Sequence, residues 1–459
     1  MKRLFYILIV AAGFTAAITS CDKSDKKTEE IIIPPYTEEE GKFVSVIESD
    51  VNGKWVTILY TAMGADGSVK NLSELICLPA GTPSNLIIGC HITIVSDSER
   101  PTNYKNLPIM TDVGFLSSIF TLKGALVVFP DYEGYGSTSA DPHPYLNREL
   151  TARQVIAGAK AALEWLEKEK NMSMPPQWRG YTVGYSQGGA VAASVLRYYR
   201  EYQLDGLNLT AAICGDGPYD PMVTLTEYIE QDKLYMPVAA VLVLKGLVDT
   251  DKNLKSLGCT YADFVTQGLI DTKIFELLEE KQLTNEEIHK MTLAYSKDNG
   301  GFTMMVYNYK AEDFLPYNAE NTAAYQDSDW DLSVGNAKSY CTASQCFKPE
   351  VISFFKDGTT NGRVPAVKLE ALKKALEKNS LTYGGWMPDA HTKDFLFFHS
   401  TRDEIVPFAN YQSVISAWGE DCIDGRPSED LNLWTHYDAG TMFVLLSSSF
   451  YDEFEKREE

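Results

Sequence analysis

A serine lies between glycines in the segment Gly184-Tyr-Ser-Gln-Gly188-Gly189. The segment follows a short apolar run, Tyr181 to Gly184, and precedes an alanine-rich stretch from Ala190 to Tyr199. A serine on a tight turn from a strand to a helix needs small neighbours, because such a turn brings backbone segments close together and lifts the hydroxyl out of the sheet. The pattern predicts that Ser186 is a nucleophile.

A serine hydroxyl is a poor nucleophile at neutral pH, so Ser186 needs a general base and an acid that orients the base. Of the six histidines, we assign the base to His436, which lies beyond the last predicted parallel strand that could present the acid. It comes after a short apolar run, Leu431 to Trp434, and before a helix predicted from Ala439. We therefore expect His436 on a loop at the carboxyl edge of a sheet.

The orienting acid is expected in the turn after the apolar run Phe395 to Phe398. This turn contains Asp403, followed by Val406-Pro407 at the start of the next predicted helix. Asp403 is our candidate, and the adjacent Glu404 is the alternative, because a shift of one residue in the turn could present it instead. The chain order serine, acid, histidine fits an α/β architecture with a nucleophile on a strand-to-helix turn.

The strands and helices predicted around these residues indicate an α/β fold. Three β-rich runs with partial alternation come first and predict an antiparallel edge: Phe43 to Glu48, Trp55 to Met63 and Leu72 to Leu78. Short apolar runs between helical stretches then predict a mostly parallel sheet that is buried on both faces. These runs are Leu86 to Cys90, Ala125 to Phe129, Tyr181 to Gly184, Ala211 to Cys214 and Phe395 to Phe398.

The strand-helix alternation is interrupted between residues 217 and 385. We predict a core in two parts, 41–216 and 386–459, with a largely helical insertion over 217–385 that forms a lid above the sheet. The other interpretation of the insertion is an independent second domain. Its apolar stretch from Met236 to Leu247 suits contact with an acyl chain or aromatic ester, and equally suits ordinary core packing.

The N-terminus has the features of an export signal. Lys2 and Arg3 precede an apolar run from Leu4 to Ile18, which is too short for a typical membrane-spanning helix. Ile18-Thr-Ser-Cys21 resembles the lipobox of bacterial lipoproteins. We expect a signal peptide over 1–20, a lipid on Cys21, a polar tether over 21–40, and a membrane anchor facing the periplasm or the cell surface. The alternative is an ordinary signal peptide.

Composition narrows the possible partners. The 459 residues are 44% hydrophobic and carry a formal net charge of −22, so the surface repels nucleic acid. No CxxC pair or HExxH helix is present, and we expect neither a metal nor a cofactor. Of eight cysteines, Cys341 and Cys346 are near neighbours that could close a small disulfide loop.

Four motifs together resemble the α/β-hydrolase superfamily, with secreted lipases and esterases and related lipoproteins of Bacteroidetes as the nearest types. They are Gly184 to Gly188, Arg402 to Pro407, His436 to Gly440, and the glycine-containing turn Phe129 to Gly136. The resemblance implies a serine hydrolase that cleaves carboxylic esters, of lipids or acylated glycans, through an acyl-enzyme. Two alternatives stay open: a peptidase or acyltransferase on the same triad, and a non-catalytic surface-binding lipoprotein.

The resemblance also implies an oxyanion hole built from backbone N–H groups. One donor is the N–H of Gln187 at the start of the helix after the nucleophile. The second comes from the loop after Leu86 to Cys90, where we assign Ile92 or Thr93. Nearby, His143 is expected to pack near the mouth of the site.

Overall fold

The computed structural model describes residues 36–108, 111–285, 287–289, 291–292, 305–308, 337–360, 362–428 and 435–457, with side chains omitted for 305–308 and 337–339. Residues 36–459 belong to one compact unit. The predicted signal peptide, Cys21 and the apolar run Leu431 to Trp434 lie outside the described residues. Within the described part of the chain, no helix is long and apolar enough to cross a membrane.

A nine-stranded sheet organises the described chain, in the order β1-β2-β3-β5-β4-β6-β7-β10-β11, and β8 and β9 form a separate antiparallel pair. The strands are β1 (Phe43–Ser49), β2 (Trp55–Met63), β3 (Val69–Cys77), β4 (Leu86–Cys90), β5 (Leu126–Pro130), β6 (Gly180–Tyr185), β7 (Leu209–Gly215), β8 (Met305–Asn308), β9 (Ala337–Tyr340), β10 (Phe395–Ser400) and β11 (Asp424–Ser428). Each predicted strand is present.

The sheet has an antiparallel edge and a parallel body, as the sequence predicts. Strands β1, β2, β3 and β5 pair in antiparallel fashion, while β5, β4, β6, β7, β10 and β11 run parallel. Every residue of β4, β5, β6 and β10 is buried, which explains why these strands read as continuous apolar runs rather than alternating ones.

Helices cover both faces of the sheet. One face packs against Arg148–Lys170, Gln187–Glu201 and Ala409–Trp418, and the other packs against Asp112–Leu122 and His436–Arg457. Because parallel strands all end at one edge, the residues that follow β4, β6, β7 and β10 are brought to the same side of the molecule.

The segment 217–385 is mainly helical where it is described and has its own apolar core. Its helices are Pro221–Gln231, Pro237–Thr250, Lys252–Ser256, Gln267–Asp271, Ile274–Glu280, Ala343–Cys346, Pro349–Asp357 and Ala366–Lys378. The sulfur atoms of Cys341 and Cys346 lie 3.0 Å apart inside this core.

Two buried cations join this segment to the rest of the chain. Lys281 donates from Nζ to the carbonyl oxygens of Gly134, Ser139 and Asp141, at 2.7, 2.8 and 2.6 Å. Arg197, on the helix Gln187–Glu201, donates to the carbonyl oxygens of Leu381 and Tyr383. We refer to these two sets of contacts as the root contacts.

Candidate active site

Ser186 occupies a strained turn between β6 and the helix Gln187–Glu201. Its backbone has φ 56° and ψ −123°, a conformation that side-chain-bearing residues rarely adopt. Its N–H donates to the carbonyl of Gly215 at 2.9 Å, which ties the turn to the end of β7. The predicted strand-turn-helix context of the serine is therefore present.

The glycines around Ser186 are required by close backbone packing. A Cβ atom at Gly184 would lie 2.3 Å from the carbonyl oxygen of Gly188, and a Cβ at Gly188 would lie 2.0 Å from that of Cys90. A Cβ at Gly189 would lie 2.3 Å from the carbonyl oxygen of Gly215. Side chains at these three positions would push the turn away from β4 and β7.

The three residues assigned from sequence are brought together in one hydrogen-bonded chain. The Oγ atom of Ser186 lies 2.9 Å from Nε2 of His436, and Nδ1 of His436 lies 2.5 Å from Oδ2 of Asp403. Asp403 and His436 are 7% and 6% exposed, so both groups are largely shielded from water. With the proton on Nδ1 donated to Asp403, Nε2 is left to accept the proton of the serine hydroxyl.

The acid turn distinguishes Asp403 from its neighbour Glu404. Oδ1 of Asp403 accepts the N–H groups of Ile405 and Val406, at 2.9 and 2.7 Å, and this leaves Oδ2 directed at the His436 ring. Oε2 of Glu404 instead accepts the backbone N–H of His436 at 3.0 Å. Glu404 thus contacts the backbone of the histidine, and Asp403 contacts its imidazole.

His436 is the first residue of the helix His436–Arg457. We predicted that this helix starts at Ala439 and that His436 lies on the loop before it, so the predicted start was wrong by three residues. Thr435 donates from Oγ1 to the Asp438 carboxylate at 2.9 Å, and the N–H of Ala439 donates to the Thr435 carbonyl at 2.9 Å. These contacts start the helix one turn earlier than the sequence suggests.

Tyr185, the residue before Ser186, contacts the backbone of His436. Its hydroxyl donates to the carbonyl oxygen of His436 at 2.5 Å. Together with the Glu404 contact, this fixes both backbone polar groups of His436. Sequence reasoning missed both contacts, because each joins residues that are distant in the chain.

Acidic side chains surround the imidazole of His436. Burial alone would lower the pKa of His436, but the charge and hydrogen bond of Asp403, with the charges of Asp216 and Glu404, raise the pKa above its usual value. A raised pKa means that the surroundings stabilise the imidazolium, the form that a histidine takes after accepting a proton from serine.

Asp216 is a second carboxyl group behind the triad that the sequence reading missed. It directly follows β7, at the carboxyl edge of the sheet, and its Oδ1 accepts the N–H of Ser400 at 2.5 Å. Burial, and then the nearby charge of Asp403, raise the pKa of Asp216 well above its usual value. Its position directly after a buried strand is the signal that could have identified it.

Asp216, His399 and Asp403 each offer a ligand atom within 4.8 Å of the other two, a spacing that could hold a metal ion. Hydrogen bonds engage part of this set of atoms, while Nδ1 of His399 and Oδ2 of Asp216 have no hydrogen-bond partner among the described residues. Both oxygens of Asp403 already accept hydrogen bonds, and Nε2 of His399 lies 3.0 Å from the Val406 carbonyl. Burial lowers the pKa of His399 to about 4, so this ring is neutral.

The three predicted oxyanion donors, Gln187, Ile92 and Thr93, differ in whether their N–H groups have a partner or lie at the cavity. Gln187 begins the helix after the nucleophile, so its N–H is one of the first-turn donors that has no partner within the helix. The N–H of Ile92 donates to the Asp112 carboxylate at 2.8 Å. Its one backbone hydrogen is therefore engaged, and the assignment of Ile92 as an oxyanion donor was wrong. Thr93 lines the same cavity as Ser186, and its hydroxyl bonds Tyr145 at 2.7 Å.

His143 is buried beside the nucleophile turn. Its Nδ1 lies 2.7 Å from the Glu133 carbonyl oxygen, and its Nε2 lies 3.3 Å from Nε2 of Gln187. Burial lowers the pKa of His143 to about 3. A neutral ring that donates from Nδ1 can accept the Gln187 amide, so His143 positions the residue after the nucleophile.

A large cavity opens at Ser186 and extends into the segment 217–385. It encloses about 810 Å³ of empty space, its mouth included. Apart from Ser186, Thr93, Thr224 and two tyrosines, its walls are apolar. The inserted segment contributes most of them, including Leu225, Met236, Ala239, Ala240, Val243, Leu244, Leu247, Phe347, Val351, Leu372 and Leu376.

Solved structures of esterases and lipases share this architecture. The rice cell wall degrading esterase LipA from Xanthomonas oryzae superposes with a TM-score of 0.62 at 18% identity, over 90% of this chain and 99% of that chain. Candida antarctica lipase A superposes with a TM-score of 0.51 at 13% identity, over 86% and 78% of the two chains.

A structure of the same lipase in its closed state gives a TM-score of 0.52 at 14% identity, over 91% of this chain and 83% of that chain. No family model matches the sequence, and a search of curated proteins finds no match. The likeness therefore lies in the fold. The strand order, the turn at Ser186 and these superpositions establish that the protein has the α/β-hydrolase fold.

Proposed function

We propose that this protein is a serine carboxylic-ester hydrolase of the lipase or esterase type, and that it acts through an acyl-enzyme on Ser186. The observation that carries the proposal is the hydrogen-bonded chain from Ser186 through His436 to Asp403, opening into an apolar cavity. A binding protein has no need of a strained serine aligned with a buried imidazole and carboxylate.

In the proposed mechanism, His436 Nε2 takes the proton from Ser186 Oγ as the oxygen attacks the ester carbonyl. The Asp403 carboxylate stabilises the resulting imidazolium and fixes the tautomer. The Gln187 N–H, with Thr93 as the second candidate, stabilises the negative charge on the former carbonyl oxygen. His436 then protonates the leaving alkoxide, and a water molecule activated by the same ring releases the acid.

The cavity supports an ester with an apolar acyl group. An alkyl chain gains about 0.8 kcal/mol for each CH₂ group transferred from water to such walls. The proposed role of the segment 217–385 is therefore that of a lid that provides the acyl-binding wall. Among the structural neighbours, one is described as an esterase and one as a lipase, which agrees with this class of substrate.

The test is hydrolysis of p-nitrophenyl esters from acetate to palmitate by a form lacking residues 1–21. Ser186→Ala is expected to abolish turnover, and a fluorophosphonate probe is expected to label the parent protein and not this variant. Ser118→Ala is the matched control, because its hydroxyl bonds the Gly114 carbonyl on a surface helix. Activity that survives in Ser186→Ala would overturn the assignment of the nucleophile.

The same assay separates the competing chemistries. The matching anilides measure amide cleavage, and an added alcohol acceptor measures acyl transfer against hydrolysis. We expect ester hydrolysis to dominate, with an optimum at medium or long acyl chains. Faster anilide cleavage would favour a peptidase, and transfer exceeding hydrolysis would favour an acyltransferase.

We also propose that export and a lipid on Cys21 tether the enzyme to a membrane. The support is the charged start, the apolar run and the lipobox-like Ile18 to Cys21. Growth with an alkyne-labelled fatty acid should label the full-length chain, and Cys21→Ser should lose the label. Equal labelling of both forms would reject the lipidation site.

A further inference from the structure

Asp216 joins the two turns that carry the catalytic residues. The carbonyl oxygen of the preceding Gly215 accepts the N–H of Ser186 at 2.9 Å. The N–H of Asp216 donates to the Phe398 carbonyl oxygen on β10, also at 2.9 Å. Its carboxyl Oδ1 accepts the N–H of Ser400, the last residue of β10, at 2.5 Å. The segment at Asp216 therefore connects the nucleophile turn after β6 with the acid turn after β10.

The conformation and burial of Asp216 are both uncommon for a charged residue. Its φ is 36°, in the left-handed region that aspartate and asparagine adopt more readily than most residues. The side chain is fully buried, and Oδ2 has no hydrogen-bond partner among the described residues. Of the two carboxyl oxygens, Oδ1 accepts one hydrogen bond and Oδ2 accepts none.

A second buried carboxyl group lies close to Asp216. One oxygen of Asp216 lies within 4.8 Å of one oxygen of Asp403. Asp403 has more hydrogen-bond donors, because it accepts two backbone N–H groups and the His436 ring. Two buried carboxylates at this distance repel each other, so the pair favours a state that holds one proton. The group with fewer donors stabilises a charge less well, so the proton belongs on Asp216.

The other groups around Asp216 do not stabilise a second negative charge. The titratable side chains that interact with it are Tyr185 on β6, Tyr219 after β7, His399 on β10, Asp403 in the acid turn, and His436 at the start of its helix. Burial raises the pKa of both tyrosines well above the usual value and lowers that of His399 to about 4, so these three groups are neutral. His436 can become a cation, but its Nδ1 bonds Asp403. Burial, and then the charge of Asp403, accordingly raise the pKa of Asp216 well above its usual value.

We propose that Asp216 is a positioning residue that is protonated in the active enzyme, where its neutral carboxyl group fixes the acid turn and leaves Asp403 as the one anion that faces His436. The inference rests on the proposed ester hydrolysis. An ionised Asp216 would attract the imidazolium as a second anion, and its proton removes that competition. The single charge then stays on the carboxyl group that is bonded to Nδ1.

Infrared difference spectroscopy reads the charge state of Asp216 without a substrate. The form lacking residues 1–21 is compared with its Asp216→Asn variant at neutral pH. The variant should lose the C=O band of a protonated carboxylic acid and should lose no carboxylate band. Glu74→Gln is the matched control for the position of such a band, because Glu74 is also a fully buried carboxyl group without a hydrogen-bond partner among the described residues. Loss of a carboxylate band in Asp216→Asn would overturn the proposal.

The pH profile of kcat/KM for p-nitrophenyl butyrate tests the same charge state during turnover. An ionised Asp216 would be one of the charges that raise the pKa of His436. Asp216→Asn should leave the acid limb of the profile in place, because asparagine replaces a group that is already neutral. Glu404→Gln is the matched control, since it removes a charge near His436 and its acid limb should move to lower pH. The same movement in Asp216→Asn would contradict a neutral Asp216.

The positioning role is tested by removing the side chain and then restoring its shape. Asp216→Gly accepts a φ of 36° but leaves the Ser400 N–H without its acceptor, so the acid turn should shift and kcat should fall on the order of 10²-fold. Asp216→Asn can still accept that N–H and should recover most of the loss. A glycine variant with the parental kcat would reject the positioning role. So would an asparagine variant that is as slow as the glycine variant while it keeps the parental Tm.

Two of these measurements use only the asparagine variant, so they do not depend on the folding of the glycine variant. Absence of butyrate hydrolysis and of fluorophosphonate labelling in the parent would instead count against the proposed function. The infrared comparison needs no turnover, and it decides the protonation of Asp216 in either case.

Discussion

Two buried carboxyl groups in this fold have opposite surroundings. Asp403, in the active site, accepts two backbone N–H groups and faces an imidazole. Glu74, on β3, is fully buried, and neither of its oxygens has a hydrogen-bond partner among the described residues. It packs against Gly158, where a Cβ atom would lie 2.4 Å from the Glu74 Oε2 atom.

The difference shows how the same chemical group acquires different charge states. Donors around Asp403 stabilise a carboxylate, which can act on His436. Neither Glu74 oxygen has a hydrogen-bond partner among the described residues, so burial, and then the Asp131 charge, raise its pKa well above the usual value and favour the neutral acid. Both groups are buried, so the hydrogen-bond donors around Asp403, and not its burial, distinguish it from Glu74.

The largest expected effect comes from removing the Asp403 anion. Asp403→Asn should lower kcat for p-nitrophenyl esters on the order of 10³–10⁴-fold, because an amide no longer fixes the tautomer that leaves Nε2 free. Tm should change little, since the amide oxygen can still accept the Ile405 and Val406 N–H groups. If the variant keeps most of its activity while Asp216→Asn loses it, the orienting acid is Asp216.

Glu74→Gln tests the other side of the comparison. The pKa of Glu74 is higher in the folded protein than in the unfolded chain. Burial of Glu74 therefore costs no stability from ionisation below the unfolded pKa, and the free energy of unfolding falls as pH rises from the unfolded toward the folded pKa. This loss is about 1.4 kcal/mol for each pH unit between the two pKa values. Glutamine does not titrate, so the variant should resist urea better than the parent at pH 8.5, with the advantage shrinking toward pH 4. Equal pH slopes would contradict a neutral Glu74.

Cys341 and Cys346 are two buried thiols that contact each other, unlike Glu74, which has no hydrogen-bond partner among the described residues. We expect a disulfide after oxidation by glutathione disulfide, which takes up the two electrons and two protons of the thiols as two reduced glutathiones. In the form lacking residues 1–21, alkylation of the denatured, oxidised protein should then modify five of the seven remaining cysteines, which are at positions 77, 90, 214, 259, 341, 346 and 422.

Loss of that bond in Cys341→Ser should lower Tm by about 2 °C under oxidising conditions and have little effect in reductant. Cys259→Ser is the matched control, since Cys259 is also buried in the segment 217–385. Alkylation of all seven thiols would exclude the disulfide.

The smallest effect is expected at Glu404. Glu404→Gln keeps an acceptor for the His436 N–H and removes one of the charges that raise the pKa of His436. The acid limb of the kcat/KM profile should therefore move to lower pH. A change in kcat with no movement of the limb would mean that Glu404 acts only through backbone geometry.

Sequence was sufficient where local patterns carry the information. The all-buried strands are continuous apolar runs, and the turn at Ser186 requires glycines at fixed spacing, so both could be predicted. Strand β11 gave no such signal, because its sequence Asp-Gly-Arg-Pro-Ser belongs to an edge strand that is only half-buried.

Features that depend on distant residues could not be predicted. The contacts of Tyr185 and Glu404 with His436 join three elements, and the cavity at Ser186 is lined by residues as far apart in the chain as Thr93 and Val406. The Ile92 assignment was wrong for the same reason: its N–H is engaged by Asp112, on a helix that begins twenty residues later.

The root contacts of Lys281 and Arg197 affect which parts of the sequence can change without loss of the contact between the segment 217–385 and the rest of the chain. Lys281 and Arg197 bind backbone carbonyls, which every residue possesses, so these contacts do not themselves depend on the side chains of the accepting loops. The segment 217–385 is also joined to the rest of the chain by other contacts, such as the hydrogen bond from the Tyr228 hydroxyl to the Ile405 carbonyl oxygen. A replacement segment with a lysine at position 281, in a chain that keeps Arg197, would therefore retain the root contacts whatever its other side chains are.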